Sequence, residues 1–405
     1  MTDDTPMDAT DWNGERTRRG LLAACLASGA TALAGCLGGG TGNGETTVDE
    51  TDDGGTETGD DGGPVTGEPA WYGSGPGAFA QRPDPGGTSM DEMPDLSGTL
   101  RIYSGRGEGL VGDLLEYLDD RYPDFEPKPT YNTASTLANK IQVEGGNTPA
   151  DVFYSVNAGA LGFLAENDRT DPLREATTSL VPAEFRADDG AWTGTSGRAR
   201  TVPFNTNAAS ADEVPSDIMA FPDLTGFEGE IGWAPTYSSF QGFVTAMVVL
   251  EGEEATKQWL NGMQDLGVRE YSDEFAIAQA VADGDLAMGF TNHYYVQRVL
   301  AARPDAPIET AFTQGDAGSV FNVAGAARID ASDRAETADL FVRHLLSSEA
   351  QEYFAVRTFE YPLVSGVAPV GRLPPIDELD VPDVDLSKLS NLDRTAELLR
   401  DVGVL

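Results

Sequence analysis

The stretch TLRIYSGRGEGLVGDLLEYL, residues 99–118, indicates the fold class of this chain. Its first five residues alternate between polar and apolar side chains, as in a half-buried β-strand, and apolar residues then recur at helical spacing. The same order returns where DVFYS, residues 151–155, precedes a helix of small residues over 158–166. Alternating strands and helices predict an α/β fold with ligand-facing loops at the carboxyl ends of the strands. The apolar residues that mark the first helix are Val111, Leu114, Leu115 and Leu118.

A second series of strands and helices begins at residues 231–234 and leads to the sequence TNHYYVQR, residues 291–298. A strand expected over residues 286–290 runs directly into Tyr294 and Tyr295. The two tyrosines are therefore predicted at the end of a strand or in the first turn of a helix. In an α/β sheet this is the position of a ligand site rather than of a core residue.

Two adjacent tyrosines are by themselves a weak indication, because such a pair usually serves packing. A phenol has a pKa of about 10, yet a hard trivalent cation such as ferric iron can displace its proton and bind the phenolate. Cysteine occurs only at positions 25 and 36, and histidine only at His293 and His344. Thiolate sites and histidine-rich sites are thus excluded from the folded region, so that any metal must be held mainly by oxygen.

The first 36 residues have the pattern of an export signal. Arg18 and Arg19 precede a short run of small and apolar residues that ends in LAGC at Cys36, which is typical of a twin-arginine signal with a lipoprotein box. The run is too short to span the roughly 30 Å of a membrane core. We therefore expect an extracytoplasmic protein, held at the outer face of the cell membrane only by a lipid on Cys36.

The chain is strongly acidic, since 67 acidic and 26 basic residues give a formal charge of -41. This composition is typical of a halophile's secreted protein, in which salt screens the self-repulsion, and it argues against nucleic acid as a partner. Residues 37–96 are rich in glycine, threonine and acidic side chains in the first half and in proline and glycine in the second. They predict a disordered acidic linker, with Trp71 and Tyr72 docking locally.

Three loops offer cations or hydroxyl groups beside predicted helix starts. YSGRGEG, residues 103–109, lacks the third glycine of a dinucleotide fingerprint, but its backbone and Arg106 can favour an anion. An ordinary tight turn explains this loop about equally well. SGRAR, residues 196–200, adds two cations beside a hydroxyl, and the hydroxyls of PTYSSFQ, residues 235–241, suit helix caps or oxyanion donors.

Seven segments of the chain resemble, in the same order, periplasmic ferric-iron-binding proteins of ABC importers, here of a haloarchaeal type. The resemblance covers roughly residues 100–374 and is most specific around Tyr294. It implies a periplasmic-binding-protein type II fold, in which two α/β lobes joined by two crossing hinge strands close on the ion. Residues 97–203 and 322–405 would form lobe 1 and residues 204–321 lobe 2. The segments are RIYSGRGEGLV, TPADVFYSVNAGALGFL, TSGRART, IGWAPTYSSFQGFVTAM, TNHYYVQR, GDAGSVFNVAGAA and EYPLVSGV.

The resemblance implies Tyr294 and Tyr295 as ligands of Fe³⁺. Many members of the family add a histidine and a glutamate at the positions of Gly107 and Val156, so other oxygen donors must complete the shell here. Relatives with a bound small anion suggest carbonate or a similar synergistic anion, assigned to Ser104, Arg106, Arg198, Ser238 and Ser239. Candidates for a third phenolate are Tyr103, Tyr154 and Tyr237, whereas Asn292 and His293 are expected to position the tyrosine loop.

The resemblance thus implies a non-enzymatic, monomeric receptor that captures ferric iron with an anion and delivers it to an ABC permease. The alternative is a receptor for an oxyanion or small organic anion, because the serine and arginine loops alone would suit sulfate or phosphate. A secreted hydrolase is less well supported, since the chain has two histidines and no G-x-S-x-G motif.

Overall fold

The computed structural model describes residues 68–386 and 392–405. The predicted export signal and the lipidation site at Cys36 lie outside these residues. Within them, no helix combines the length and the apolar character needed to cross a membrane.

Strands form one mixed sheet in the described part of the chain. They are β1 Gly98–Ser104, β2 Phe125–Tyr131, β3 Val152–Ser155, β4 Thr170–Asp171, β5 Thr193–Asn205, β6 Ile231–Trp233, β7 Arg269–Glu270, β8 Met288–Gly289, β9 Thr291–Asn292, β10 Ile308–Ala311 and β11 Phe321–Ile329. Their order is β2-β1-β3-β11-β5-β8-β6-β7, with β4 beside β11, and β9 and β10 beside β5. β1 runs parallel to β2 and β3, whereas β11 is antiparallel to β3 and β5.

Helices alternate with these strands, which confirms the predicted α/β class. They are α1 Glu108–Arg121, α2 Ala134–Glu144, α3 Ala158–Glu166, α4 Glu175–Thr178, α5 Ser238–Glu251, α6 Glu253–Asp265, α7 Glu274–Asp283, α8 His293–Ala302, α9 Ala335–His344, α10 Ser348–Tyr353 and α11 Asp393–Asp401. Side chains of Thr133, Asn157 and Asp273 accept the backbone N–H three residues on, and so cap α2, α3 and α7.

The long strand β5 connects the two halves of the sheet. Its residues 193–199 pair with β11, residues 200–201 pair with β9, and residues 202–205 pair with β10. One continuous strand therefore passes from the neighbourhood of β1 and β3 to that of β6 and β8. The tyrosine segment meets β5 directly after this exchange of partners.

Buried apolar side chains form three clusters. The largest draws on residues 71–199 and 321–373, the second on residues 202–320 with part of the C-terminal segment, and the third mainly on α7 and α8. Leu398 and Leu399 of α11 belong to the second cluster, and the hydroxyls of Thr395 and Thr245 lie 2.7 Å apart. α11 thus packs on α5, although the sequence-based boundaries grouped it with lobe 1.

Residues 68–96 were predicted as part of a disordered linker in which only Trp71 and Tyr72 dock, but more of the segment packs onto the largest cluster. Trp71 is 8% exposed, and its ring centroid lies 5.1 Å from that of Tyr117. Its indole N–H donates to the carbonyl of Glu349 at 3.0 Å, while Arg82 pairs with Glu352 at 2.6 Å. The composition of this segment suggested a linker because its few apolar residues have no periodicity, but Trp71, Phe79, Met90 and Leu96 are buried in the core.

Candidate functional site

Tyr294 and Tyr295 lie in the first turn of α8, directly after β9, which confirms the predicted position. Their ring centroids are 4.3 Å apart. Tyr295 is 6% exposed and Tyr294 is half-buried. The Arg298 guanidinium, one turn further along α8, lies 5.6 Å from each ring centroid. The pair is thus held between the apolar interior and one cation.

A third tyrosine joins this pair. Tyr237 follows β6 and occupies the N-cap position of α5, and its Oη lies 2.5 Å from Oη of Tyr295. The side-chain amide of Asn292 donates to Oη of Tyr294 at 3.3 Å. Phenol oxygens from two chain segments therefore meet beyond the carboxyl ends of neighbouring strands.

The other two candidates for a third phenolate make their contacts elsewhere. The Tyr103 hydroxyl donates to Glu144 at 3.4 Å, and Lys140 lies 4.5 Å from the ring centroid. Tyr154 is fully buried, with the Arg106 guanidinium 5.4 Å from its ring centroid. Among the three candidates, the structure brings only Tyr237 to a tyrosine of the pair.

The surroundings of the pair disfavour a free phenolate. Burial raises the pKa of Tyr294; Arg198 opposes this rise and Glu274 adds to it. Burial also raises the pKa of Tyr295, and the neighbouring hydroxyls of Tyr294 and Tyr237 raise it further. The phenols keep their protons unless a cation displaces them, which is the chemistry of a hard, highly charged metal ion.

A cleft of about 540 Å³ lies next to the tyrosines. Asn292, which contacts Tyr294, lines it together with Arg198, Ser238 and Ser239. The first residues of α2, α3 and α5 also line it, so the partial positive charge of three helix N-termini adds to that of the arginine. Within a strongly acidic protein, this cleft is locally suited to an anion.

Arg200, the second cation of the SGRAR segment and not among the residues assigned to the anion, is the second arginine of the cleft. It is 4% exposed, and its Nη1 donates to Ser239 Oγ at 3.4 Å and to Glu274. Its buried Nη2 has no hydrogen-bond partner among the described residues. The available signal was its spacing of two residues from Arg198, because alternate residues of a strand share a face. Glu274 was not predicted as a site residue either, because nothing in the sequence distinguishes it from other carboxylates at helix starts.

Two residues predicted to bind the anion lie instead inside the largest cluster. Arg106 is fully buried; its Nη2 lies 2.6 Å from Oε2 of Glu360, and its Nη1 donates to Ser196 at 2.9 Å. The Ser104 hydroxyl donates to the carbonyl of Arg106 at 2.7 Å. Glu360, which binds this guanidinium, is 254 residues away in the sequence, so no local sequence pattern could predict the contact.

Arg198 remains beside the cleft. Its Nη2 donates to the carbonyl of Val156, and its Nε lies 4.0 Å from Oε1 of Glu360. It lowers the pKa of Tyr294, against the rise caused by burial, so its charge acts on the tyrosine pair.

His293 ties the tyrosine turn to the rest of the fold. Its Nδ1 accepts the N–H of Ala199 at 3.1 Å, so Nε2 carries the proton and donates to the carbonyl of Phe359 at 2.8 Å. Burial lowers the pKa of His293 to about 4. These contacts agree with the expected positioning role. In residues 68–386 and 392–405, His, Cys, Asp and Glu side chains form no group of three that could hold a metal ion.

Comparisons with known proteins show the family of this chain. A family model described as "Bacterial extracellular solute-binding protein" matches residues 120–376. The major ferric iron-binding protein of Neisseria meningitidis serogroup A is 30% identical over 276 residues, covering 66% of this chain and 82% of the relative. The Fe(3+)-binding periplasmic protein of Serratia marcescens is 28% identical over 312 residues, covering 75% and 90%.

The structure of iron-bound HitA from Pseudomonas aeruginosa matches with a TM-score of 0.66 at 28% identity, covering 75% of this chain and 99% of that chain. These relatives are solute-binding transport proteins and not enzymes. The chain therefore belongs to the family of bacterial extracellular solute-binding proteins, in the group that contains the ferric-iron-binding periplasmic proteins.

Proposed function

We propose that this protein captures ferric iron outside the cell membrane and delivers it to an ABC permease. The observation that carries this proposal is the cluster of Tyr294, Tyr295 and Tyr237, in which the hydroxyls of Tyr237 and Tyr295 lie 2.5 Å apart. Burial raises the pKa of Tyr294 and Tyr295, so these two phenols would lose their protons only to a strongly bound cation. Relatives named as ferric-iron-binding proteins support Fe³⁺ as that cation. Iron is the cargo of the receptor.

Tyr294 and Tyr295 are the proposed protein ligands, with Tyr237 as the third. Three phenolates would balance the charge of Fe³⁺ but fill only half of about six coordination positions. Carbonate or a similar exchangeable anion would complete the shell, bound by Arg198 with Ser238 and Ser239, which line the cleft. Ser104 and Arg106 are left out of this assignment because the Ser104 hydroxyl and both terminal nitrogens of Arg106, Nη1 and Nη2, are hydrogen-bonded in the core.

The proposal includes the location and the motion of the receptor. Export through the twin-arginine signal and a lipid on Cys36 would keep a monomer at the outer face of the membrane. Lobe 1, residues 97–203 with 322–386, and lobe 2, residues 204–321 with α11, would close on the ion through β5 and β11. Binding would weaken in acid as phenols and carbonate take up protons.

The variant Y294F/Y295F tests the site. We expect the iron-loaded wild type to show a visible phenolate-to-iron absorption band and iron to stabilise the metal-free protein against heat. The double variant should lose both effects. Y271F is the matched control, because Tyr271 is a partly buried tyrosine of the third cluster that contacts Arg269. An unchanged colour and affinity in the double variant would show that the site is elsewhere.

A receptor for an oxyanion or small organic anion is the second candidate. The unpaired Nη2 of Arg200 and the helix starts at the cleft favour it, because they suit an anion without any metal. Thermal unfolding of the metal-free protein with either phosphate or ferric iron separates the two candidates. Stabilisation by phosphate together with indifference to iron would support the second.

A further inference from the structure

Glu274 is a fully buried carboxylate that ties three separate segments of the site together. Its Oε1 accepts from Arg200 on β5 and from Ser239 at the start of α5. Its Oε2 accepts the backbone N–H of Asn292 at 2.8 Å. These partners are 74, 35 and 18 residues away along the chain, so the carboxylate is a tertiary junction rather than a local cap.

The contact with Asn292 acts on the tyrosines. Asn292 is the N-cap residue of α8, and the next residue, His293, is bound to Ala199 and to Phe359. Glu274 therefore holds the backbone just before the tyrosine turn, at the same residue whose side chain contacts Tyr294. A change in this contact would alter the direction in which the phenol groups emerge.

The contact with Arg200 acts on the cleft. Glu274 and Ser239 occupy Nη1, and the guanidinium carbon lies 5.1 Å from the ring centroid of Phe243, so the planar group is held in one orientation. Its Nη2 is buried and unpaired within the described structure, and Arg200 lines the cleft. A buried donor without a partner is costly, and an acceptor that arrives with the ligand would satisfy it.

We propose that Glu274 is the positioning residue that couples anion binding to iron binding. It presents Nη2 of Arg200 to an anion oxygen and fixes the end of β9, directly before the first turn of α8 that carries Tyr294 and Tyr295. This inference rests on the proposed ferric-iron function. A carboxylate is required because all three partners are donors; a glutamine would place its NH₂ group against one of them.

The variant E274Q tests this coupling, with D339N as the matched control. Asp339 is also a buried carboxylate that accepts a backbone N–H, from Arg174 at 2.6 Å, and a hydroxyl, from Thr177 at 3.1 Å. Iron affinity is measured by chelator competition with and without added bicarbonate, and the visible band is recorded. We expect E274Q to bind iron about 10- to 100-fold more weakly with bicarbonate, to lose most of the bicarbonate effect, and to shift the band. D339N should stay within about twofold of wild type in affinity.

The variant R200K provides a second route that keeps the carboxylate and the buried charge. Lysine lacks the fork that lets one guanidinium nitrogen bind Glu274 while the other stays unpaired, so the bicarbonate effect should again be lost. If both residues act as one unit, the losses in E274Q/R200K will not add. A wild-type bicarbonate effect in both single variants would overturn the inference. Wild-type protein that binds no iron at all would instead overturn the proposed function.

Discussion

Replacing Arg106 by methionine tests whether this arginine serves the fold or the anion. The Arg106 side chain is fully buried and that of Glu360 is 8% exposed, with their charged atoms 2.6 Å apart. Removing one partner of a buried pair leaves an uncompensated charge and costs about 3–5 kcal/mol. The hydroxyls of Ser196 and Thr358 still donate to Glu360, and Arg198 lies 4.0 Å from it, so we expect a loss of about 3 kcal/mol.

Urea unfolding of the metal-free protein measures this loss. We expect R106M to lower the midpoint with an unchanged slope, while the bicarbonate dependence of iron binding stays that of wild type. R198M should instead change mainly the bicarbonate dependence of iron binding, because Arg198 lies beside the cleft with 19% of its side chain exposed. It should cost less than about 1.5 kcal/mol and weaken the bicarbonate effect.

The charge left behind on Glu360 supplies an internal control. In R106M/E360Q the uncompensated carboxylate is gone, so the double variant should be more stable than R106M. This reasoning would be refuted if R106M had wild-type stability and its iron binding no longer depended on bicarbonate. Arg106 would then bind the anion, as its position in the YSGRGEG loop first suggested.

Three further predictions concern the site, the pH dependence and the N-terminal segment. Y237F should weaken iron binding and shift the visible band because it removes the hydroxyl 2.5 Å from that of Tyr295, whereas Y103F should match wild type in the same titration. Burial lowers the pKa of His344 to about 4, against about 6.5 when unfolded. The fold favours the neutral form of His344, and this contribution to stability is fully present above pH 6.5. As the pH falls from 6.5 to 4, the unfolding free energy of wild type, measured with urea, should therefore decrease by about 3 kcal/mol more than that of H344Q. The same decrease in both proteins would contradict this. W71A should cost about 3–5 kcal/mol of unfolding free energy with iron affinity unchanged, whereas a disordered segment would show no loss.

The local sequence pattern was enough to predict much of the fold and the position of Tyr294 and Tyr295. Strand–helix alternation is visible in the sequence because each element shows its buried face at a period of about two or 3.6 residues. The same reasoning placed Tyr294 and Tyr295 after a strand, where α8 begins. Position in an element depends on neighbours along the chain, so it can be predicted from them.

The segment before β1 shows where pattern fails. Trp71 and Arg82 lie in a proline- and glycine-rich stretch without periodicity, yet both are tied to α10 through Glu349 and Glu352. Composition describes the average tendency of a segment to fold by itself. It does not report a surface elsewhere that the segment can cover.

The sequence by itself determined the α/β class, the acidic composition, the expectation that any metal is held mainly by oxygen, and the position of the tyrosine pair. Only the tertiary structure decided which charged and hydroxyl groups reach that pair. Tyr237 and Tyr295 are hydrogen-bonded although they are 58 residues apart in sequence, and Glu274 binds Arg200 over a separation of 74 residues. Glu360 binds Arg106, 254 residues away, and so holds it in the core. The physical reason is that a buried polar group must find a partner wherever the folded chain supplies one, and that choice leaves no periodic trace in the sequence.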